Sequence, residues 1–362
     1  MNFAGDRSDL ASALRHRTAL GPTDGVTDVP GVRVGHQDVR TSPDVVSGVT
    51  AVRFDQLGAD RRTLPAAIAV GNGHGKLIGA TQVAELGCLE TPIVLTATLS
   101  TFLAADALTG WVLRQPGYED TVTLNPLVAE CNDSWLSDIR ARAVTTAHVE
   151  QALESATAER PAEGAIGAGS GMVCMGYKGG IGTASRTTEM AGSPATVGAL
   201  VLTNFSGSLR VGTQDFKAAQ VLGPGGPNDA HGDRPASNAP HTQGNSCIVL
   251  LVTDAPIDAR QLARIARRGV FALGRVGASY SHGSGDYGIA VSTAEPAPAL
   301  ADHLLDPLLT AALEAAEAAL VSSLLAAETT PGKAGRTAHG LPRDVLSRAD
   351  AEQPTSPGHI RP

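Results

Sequence analysis

Residues 241–257 read HTQGNSCIVLLVTDAPI, and the change of character within this stretch decides the fold. The polar, turn-forming part stops at Asn245, and Cys247 to Val252 form an apolar run whose length and composition predict a buried β-strand. Ser246 opens that strand. Polar residues commonly stand at such an edge because they favour turns, so the position alone assigns Ser246 no role.

The segment in front of this strand has no means of joining a core. Residues 223–245 contain five Gly and four Pro, and they contain no Val, Ile, Leu, Met or aromatic residue. A stretch without apolar side chains buries too little surface to offset the entropy of ordering it. We therefore predict a mobile linker that ends at the strand.

The remaining composition is that of one packed domain. The chain has 362 residues, of which 42% are hydrophobic and 41 are Gly, as expected for a layered α/β protein with many tight turns. We expect a single domain over residues 1–328 and a polar tail over 329–362, with about the last 15 residues disordered.

Several classes of partner are disfavoured. The formal charge is −8 and no stripe of Lys or Arg occurs, which argues against nucleic acid. The N-terminus lacks an apolar signal region and no segment has 18 uninterrupted apolar residues, so we expect a cytoplasmic protein without a membrane partner.

The four cysteines are far apart, and we predict that they are reduced thiols. The ten histidines are dispersed, and we expect no metal and no cofactor; His74 and His282, each among glycines, could line a pocket.

Strands and helices alternate along the chain. Antiparallel strands are predicted over 26–54, strand-to-helix units over 64–87 and 91–115, a helix over 146–159, and two strands over 164–212. In the second unit the apolar positions with helical spacing are Phe102, Leu103, Ala107 and Leu108. This order predicts a layered α/β body.

After the linker the pattern continues. The opening strand is followed by a helix that Asp258 caps, then by a strand over 289–293 and by a long helix with Asp306 as its cap and Pro307 as its first residue. The inward positions of the two helices are Leu262, Ile265 and Leu273, and then Leu309, Leu313, Leu320 and Leu324.

Common catalytic motifs fail when they are tested. Gly171 and Gly176 have phosphate-loop spacing, but a residue intrudes before Lys178 and Gly179 replaces the Ser or Thr that binds Mg²⁺. The block also lacks the spacing of a serine-hydrolase nucleophile elbow. What remains is Ser246. If its preceding peptide bond were cut, its free α-amine, with an ordinary pKa of about 7.7–8.0, could act as base for its own hydroxyl.

Six blocks give this idea a context. They are TDVPGVRVGH at 27–36, AECNDSWL at 129–136, GAGSGMVCMGYKGGIGTASR at 167–186, VLTNF at 201–205, GNSCIVLLVTDAPI at 244–257 and GSGDYGIAVST at 283–293. In this order the chain resembles the self-processing L-aminopeptidase/D-esterases and β-aminopeptidases (peptidase family S58), which include hydrolases of nylon oligomers. The resemblance implies a four-layer αββα sandwich similar to N-terminal-nucleophile hydrolases with different connectivity. It also implies cleavage into an α chain, 1–245, and a β chain, 246–362.

The resemblance also implies roles for residues. Ser246 matches the nucleophile, and Asn245 matches the last residue of the α chain. Asn204 matches the amide that stabilises the oxyanion. Ser284 and Asp286 match the pair that binds the amine and hydroxyl of the nucleophile. Taken singly, each could instead be an ordinary strand end or turn residue.

Three further positions concern the surroundings of the nucleophile. Lys178 matches a lysine near it, and Glu130 matches a carboxylate that pairs with the free amino group of the substrate. Trp135 departs from the pattern, because relatives tend to have Tyr there and an indole N–H can donate but cannot accept. Substrate choice or an oxyanion contact is affected.

The leading hypothesis is an autoprocessed serine aminopeptidase or amidohydrolase, without cofactor, that acts on small peptides, amides or esters as a homo-oligomer of processed αβ units. Two alternatives stay open. One is a catalytically silent homologue that binds a small ligand, with Trp135 as its altered feature. The other is an acyltransferase of related fold that passes the acyl group to an amine. The sequence leaves the α, β or D preference of the acyl residue undecided.

Overall fold

The fold was determined as a computed structural model that describes residues 7–223, 245–295, 297–298 and 300–345. The predicted linker therefore lies outside the described residues except for Gly223 and Asn245 at its ends. The C-terminal residues that were predicted to be disordered lie outside them as well.

The described residues form strands of very different length and a smaller set of helices. In chain order the strands are β1 (Ala19–Leu20), β2 (Val32–Val39), β3 (Ser47–Phe54), β4 (Leu64–Gly73), β5 (Leu77–Ile78), β6 (Cys88–Leu89), β7 (Ile93–Ala97), β8 (Leu127–Cys131), β9 (Val173–Cys174), β10 (Tyr177–Lys178), β11 (Ile181–Met190), β12 (Ser193–Asn204), β13 (Leu209–Val211), β14 (Gln214–Phe216), β15 (Asn245–Thr253), β16 (Ser284–Ser292), β17 (Thr330–Pro331) and β18 (Thr337–Ala338). The helices are α1 (Arg7–Ala13), α2 (Ala80–Leu86), α3 (Thr101–Leu113), α4 (Thr146–Glu154), α5 (Ala218–Val221), α6 (Ala259–Arg275) and α7 (Asp306–Leu325).

Two large sheets form the body. One has seven strands in the order β1-β11-β12-β15-β16-β4-β6, and the other has five in the order β2-β3-β7-β8-β5. The strand of the opening stretch, β15, pairs antiparallel with β12 and parallel with β16 in the middle of the larger sheet. Every residue of β15 and β16 is buried. The predicted buried strand is confirmed, and it begins at Asn245, one residue before Ser246.

Hydrophobic contacts show four layers. Alternate residues of β15 point to opposite faces of the sheet, as strand geometry requires. Ile248 and Leu250 join a core that lies between the two sheets, whereas Val249 and Leu251 join a core that α6 and α7 cover. Helices α3 and α4 cover the outer face of the smaller sheet. The predicted αββα sandwich is confirmed.

The two long helices after β15 were predicted well. The Asp258 carboxylate accepts a hydrogen bond from Gln261 N at 2.7 Å and caps α6. Helix α7 begins at Asp306 itself, one residue earlier than a cap at that position would place it. Its length and apolar composition would allow it to cross a membrane, but 89% of its most apolar window is buried inside the protein. Helix α7 is thus a core helix.

One inward position was wrong. Phe102 on α3 is 68% exposed, whereas Ala107 and Leu108 are buried. The buried face of α3 also contains Ala104 and Trp111, so the helix turns Phe102 away from the sheet. Helical spacing alone could not choose between these two faces, since both carry apolar residues.

The part of the predicted tail that the structure describes is packed. Strands β17 and β18 pair with each other, and Leu341 and Val345 lie in the core under α7. The carbonyl of His339 accepts a hydrogen bond from Lys178 N at 2.7 Å. The folded body therefore continues to residue 345. All four cysteines are unpaired thiols, as predicted, and only Cys88 is not fully buried.

The close approach of α7 to β11 gives a stability prediction. A Cβ added at Gly182 would lie 2.0 Å from the Ala319 carbonyl oxygen of α7. We expect Gly182→Ala to lower the free energy of unfolding by about 1–3 kcal/mol, because the helix must move outward. Urea denaturation measures the change.

Gly110 on α3 is the matched control, because an added Cβ there meets only the flexible end of Arg114 at 3.4 Å. Gly110→Ala should raise the free energy of unfolding by up to about 1 kcal/mol through helix propensity. Equal stability of Gly182→Ala and the unmodified chain would show that helix and strand do not approach this closely.

Candidate active site

Ser246 lies at the start of β15, between two strands. It pairs with Asn204 on β12 and with Gly285 on β16. Directly paired residues of antiparallel strands point to the same face, so Asn204 and Ser246 share one face of the sheet. This face looks toward the smaller sheet, because the next residue of the same parity, Ile248, lies in the core between the sheets. Ser246 is only 3% exposed.

The peptide bond in front of Ser246 is held on both sides. The Ser246 hydroxyl donates to the Asn245 carbonyl oxygen at 2.6 Å. The Asn245 side-chain Nδ2 donates to Ser206 Oγ at 2.9 Å and to Ser281 Oγ at 2.6 Å. Ser206 and Ser281 were not predicted from the sequence, where their only signal is their place beside the VLTNF and GSGDYGIAVST blocks. The arrangement fixes a serine hydroxyl on the carbonyl group of its own preceding peptide bond.

Ser284 and Asp286 flank the strand partner of Ser246. The Ser284 hydroxyl donates to Asp286 Oδ1 at 2.6 Å, and Asn72 Nδ2 donates to Asp286 Oδ2 at 3.0 Å. Burial raises the pKa of the Asp286 carboxyl, and the hydrogen bonds from Ser284, Asn72 and the Cys247 backbone oppose that rise. Asn72, at the glycine-rich end of β4, was not predicted from the sequence. The structure therefore brings the predicted pair to the strand next to Ser246.

The pair does not contact the hydroxyl of Ser246 while the chain is uncut. Ser284 and Asp286 are in register with Asn245 and Cys247, so strand alternation turns them toward the face opposite the Ser246 side chain. Both oxygens of the carboxylate are already occupied by Ser284 and Asn72. The backbone of Ser246 lies in the plane of the sheet, between the face that carries its own side chain and the face that carries Ser284 and Asp286.

Asn204 is held by β9. The Val173 backbone N–H donates to Asn204 Oδ1 at 3.1 Å. This bond orients the amide by its oxygen, and Nδ2 is the donor group of the side chain. Lys178 pairs with Val173 across the β9–β10 hairpin, so Asn204 and Lys178 are joined through Val173.

Lys178 is the last residue of β10 in this hairpin and is completely buried. Its Nζ donates to the carbonyl oxygens of Gly169 at 2.9 Å and Gly179 at 2.7 Å. Burial, assisted by the positive charge of Arg40, lowers the pKa of Lys178 to about 7. Lys178 and Asn204 thus both contact Val173. The described hydrogen bonds of the Lys178 ammonium go to backbone carbonyls and not to Ser246.

Glu130 approaches from the smaller sheet. It is 2% exposed at the end of β8, and its Oε1 accepts hydrogen bonds from Lys76 N at 2.9 Å and from Lys76 Nζ at 3.4 Å. A Cβ placed on Gly75 would lie 3.4 Å from this Oε1 and 3.3 Å from the Cα of Gly285. Glu130 is therefore close to the residue that pairs with Ser246. Its Oε2 is buried and has no hydrogen-bond partner among the described residues.

Cys131, the neighbour of Glu130, lies in the core between the two sheets. Burial raises the pKa of its thiol well above the ordinary value. The thiol itself donates to the Leu202 carbonyl oxygen at 3.7 Å. The Cys131 thiol is therefore neutral.

Trp135 lies at one side of the site. It packs with Leu136, Val173 and Ala338, and the Arg336 guanidinium stands over its ring at 5.6 Å. Trp135 contacts Val173, whose backbone N–H binds Asn204, and Asn204 pairs with Ser246. No group of three or more His, Cys, Asp or Glu residues that could hold a metal ion occurs in the described part of the chain.

Comparison with known proteins agrees with this geometry. The β-peptidyl aminopeptidase BapA of Sphingosinicella microcystinivorans is 33% identical in an alignment of 351 positions that covers 90% of this chain and 87% of the relative. A β-aminopeptidase of a Burkholderia species has a solved structure with a TM-score of 0.83 and 32% identity, covering 97% of this chain and 99% of that one.

A third relative describes the fold. The L-aminopeptidase D-Ala-esterase/amidase of Ochrobactrum anthropi, a variant of the Ntn hydrolase fold, matches with a TM-score of 0.81 and 30% identity, over 94% of this chain and 97% of that one. The model of peptidase family S58 matches residues 24–338. The chain therefore belongs to peptidase family S58 and is a hydrolase of peptide bonds.

Proposed function

We propose that this protein is a serine aminopeptidase that activates itself by cutting the Asn245–Ser246 bond and then releases N-terminal residues from small peptides, amides or esters. The observation that carries the proposal is the 2.6 Å contact of the Ser246 hydroxyl with the Asn245 carbonyl oxygen. The names of the relatives support the same reaction, since they are aminopeptidases that act on β-peptides or on L-amino-acid and D-Ala substrates.

Self-cleavage follows from the position of the hydroxyl. Ser246 Oγ attacks the Asn245 carbonyl carbon and gives up its proton, the C–N bond breaks, and that proton passes to the departing nitrogen, which becomes the Ser246 α-amine. The acyl group of Asn245 is then an ester on Ser246 Oγ, which water hydrolyses to a carboxylate and a free hydroxyl. Ser206 and Ser281 hold the Asn245 side chain and thereby keep the carbonyl in reach of Oγ during this step.

The new amine provides the base for later turnovers. It replaces the peptide nitrogen at the end of β15, next to the Ser284–Asp286 pair on β16. The Asp286 carboxylate, with the Ser284 hydroxyl bonded to it, can accept a hydrogen bond from the neutral amine and orient its lone pair toward Oγ. The contact between this pair and the nucleophile, which the uncut chain does not make, belongs to the processed enzyme in our proposal.

Two side chains then act on the substrate. Asn204 donates from Nδ2 to the oxyanion that forms when Ser246 attacks the substrate carbonyl, since Val173 holds its oxygen in place. Glu130 accepts the free ammonium group of the substrate at Oε2, the buried oxygen without a described partner. Ser246 carries the acyl group, and water releases it.

The remaining predicted residues support these groups. Lys178 binds the carbonyls of Gly169, before β9, and Gly179, after β10, and so keeps the β9–β10 hairpin in position. Trp135 packs against the same hairpin and shapes the side of the pocket. We further propose a cytoplasmic enzyme, assembled as a homo-oligomer of units that consist of residues 1–245 and 246–362.

The nucleophile is tested by removing its hydroxyl. Ser246→Ala should stay a single chain of 36.9 kDa and should be inactive. The unmodified protein should give fragments of about 25 and 12 kDa from its mean residue mass, the smaller one starting Ser-Cys-Ile-Val. Gel electrophoresis and N-terminal sequencing provide the measurement.

Ser279→Ala serves as the control for this change. It removes a nearby hydroxyl that contacts Ser206 but not Asn245 or Ser246, so cleavage should proceed. Two fragments from Ser246→Ala would remove Ser246 from the mechanism. Incubation with an acceptor amine separates hydrolysis from acyl transfer, and an unmodified protein that cleaves itself but turns over no aminoacyl anilide would be a silent homologue.

The amine recognition is tested at Glu130. Glu130→Gln keeps the size of the side chain but removes its charge, so KM for a p-nitroanilide with a free amine should rise by about 10-fold or more. The N-acetylated analogue has no ammonium group, and its much poorer kcat/KM should stay near the unmodified value. Equal losses on both substrates would assign Glu130 to structure alone.

A further inference from the structure

Lys76 occupies one half of the carboxylate that the proposed function assigns to the substrate amine. Its backbone N–H and its Nζ both donate to Glu130 Oε1, at 2.9 and 3.4 Å. The Nζ also donates to Thr98 Oγ1 at 2.6 Å, and Thr98 is buried. The ammonium group is therefore anchored at two points, although the Lys76 side chain is 38% exposed.

The two oxygens of Glu130 are thus unequal. Oε1 has both described hydrogen bonds, and Oε2 is buried without a partner among the described residues. A buried carboxylate oxygen without a donor is unfavourable unless a ligand supplies one. A substrate ammonium group that binds at Oε2 would share the Glu130 carboxylate with Lys76 Nζ and would therefore lie beside it.

We propose that Lys76 sets the affinity of this enzyme for the substrate amine by weakening it. The inference rests on the proposed function of Glu130 and adds a specificity role for a residue that no part of the mechanism uses. Two ammonium groups so close repel each other, and water screens this repulsion only in part because Glu130 and Thr98 are buried. The amine site therefore holds a cation less tightly than a lone glutamate would.

Weaker binding has a use in the reaction cycle. The released amino acid carries the same ammonium group as the substrate, so it competes for Glu130 after hydrolysis. A second cation fixed beside the carboxylate lowers the affinity for substrate and product alike. Lys76 accordingly lets the product amino acid leave, at the expense of a higher KM for substrates with a free amine.

The test is Lys76→Met in the processed enzyme. This variant keeps the backbone N–H that holds Glu130 Oε1 and removes only the ammonium group. We expect KM for a free-amine p-nitroanilide and the inhibition constant of the product amino acid to fall together, by about 3- to 10-fold. KM for the N-acetylated anilide should not change. Lys76→Arg keeps the charge and should behave like the unmodified enzyme.

Other outcomes have distinct meanings. A KM ratio of free-amine to N-acetylated substrate that is unchanged or higher in Lys76→Met overturns the role of Lys76. If that variant fails to fold or to cleave itself, Lys76→Gln provides the same measurement with a polar side chain. Failure of the proposed function is separate, because it would appear in the unmodified enzyme as a Glu130→Gln effect that is equal on both substrates.

Discussion

The hydrogen bond from the Ser246 hydroxyl to the Asn245 carbonyl oxygen is the contact on which the rest of the site depends. It forms because Asn245 and Ser246 lie at the first positions of a central strand that is buried throughout and paired on both sides. Strand pairing fixes the backbone, and two serine hydroxyls fix the Asn245 side chain. Because the backbone and the Asn245 side chain are both fixed, the Ser246 hydroxyl stays within hydrogen-bonding distance of the scissile carbonyl.

The buried ionisable groups around this contact have different functions. Glu130 has one oxygen held by Lys76 and one without a described partner, as expected for a binding group. Asp286 has both oxygens bonded, as expected for an orienting group. The Lys178 ammonium is held by two backbone carbonyls, and burial lowers its pKa to about 7. Each environment matches a different task, although all three side chains lie within the same four-layer body.

Much of this architecture could be predicted from the sequence. The apolar run after Ser246 predicted the central strand, and the alternation of elements predicted the layers. The residues that hold Asn245, Asp286 and Glu130 could not be predicted, because Asn72, Lys76, Ser206 and Ser281 lie in loops or at strand ends without periodicity. The topology of β4, β12 and β16 brings these segments to one end of β15, and pairing across such distances in the chain leaves no local pattern.

The central claim is that cleavage at Ser246 creates the active enzyme, and a time course tests it most directly. Freshly purified protein is incubated at neutral pH, and the intact fraction and the anilide hydrolysis rate are measured in the same samples. We predict that activity rises with the rate constant at which the 36.9-kDa chain disappears, because the Ser246 amine is the base. An intact chain that hydrolyses aminoacyl anilides at the full rate would contradict the account.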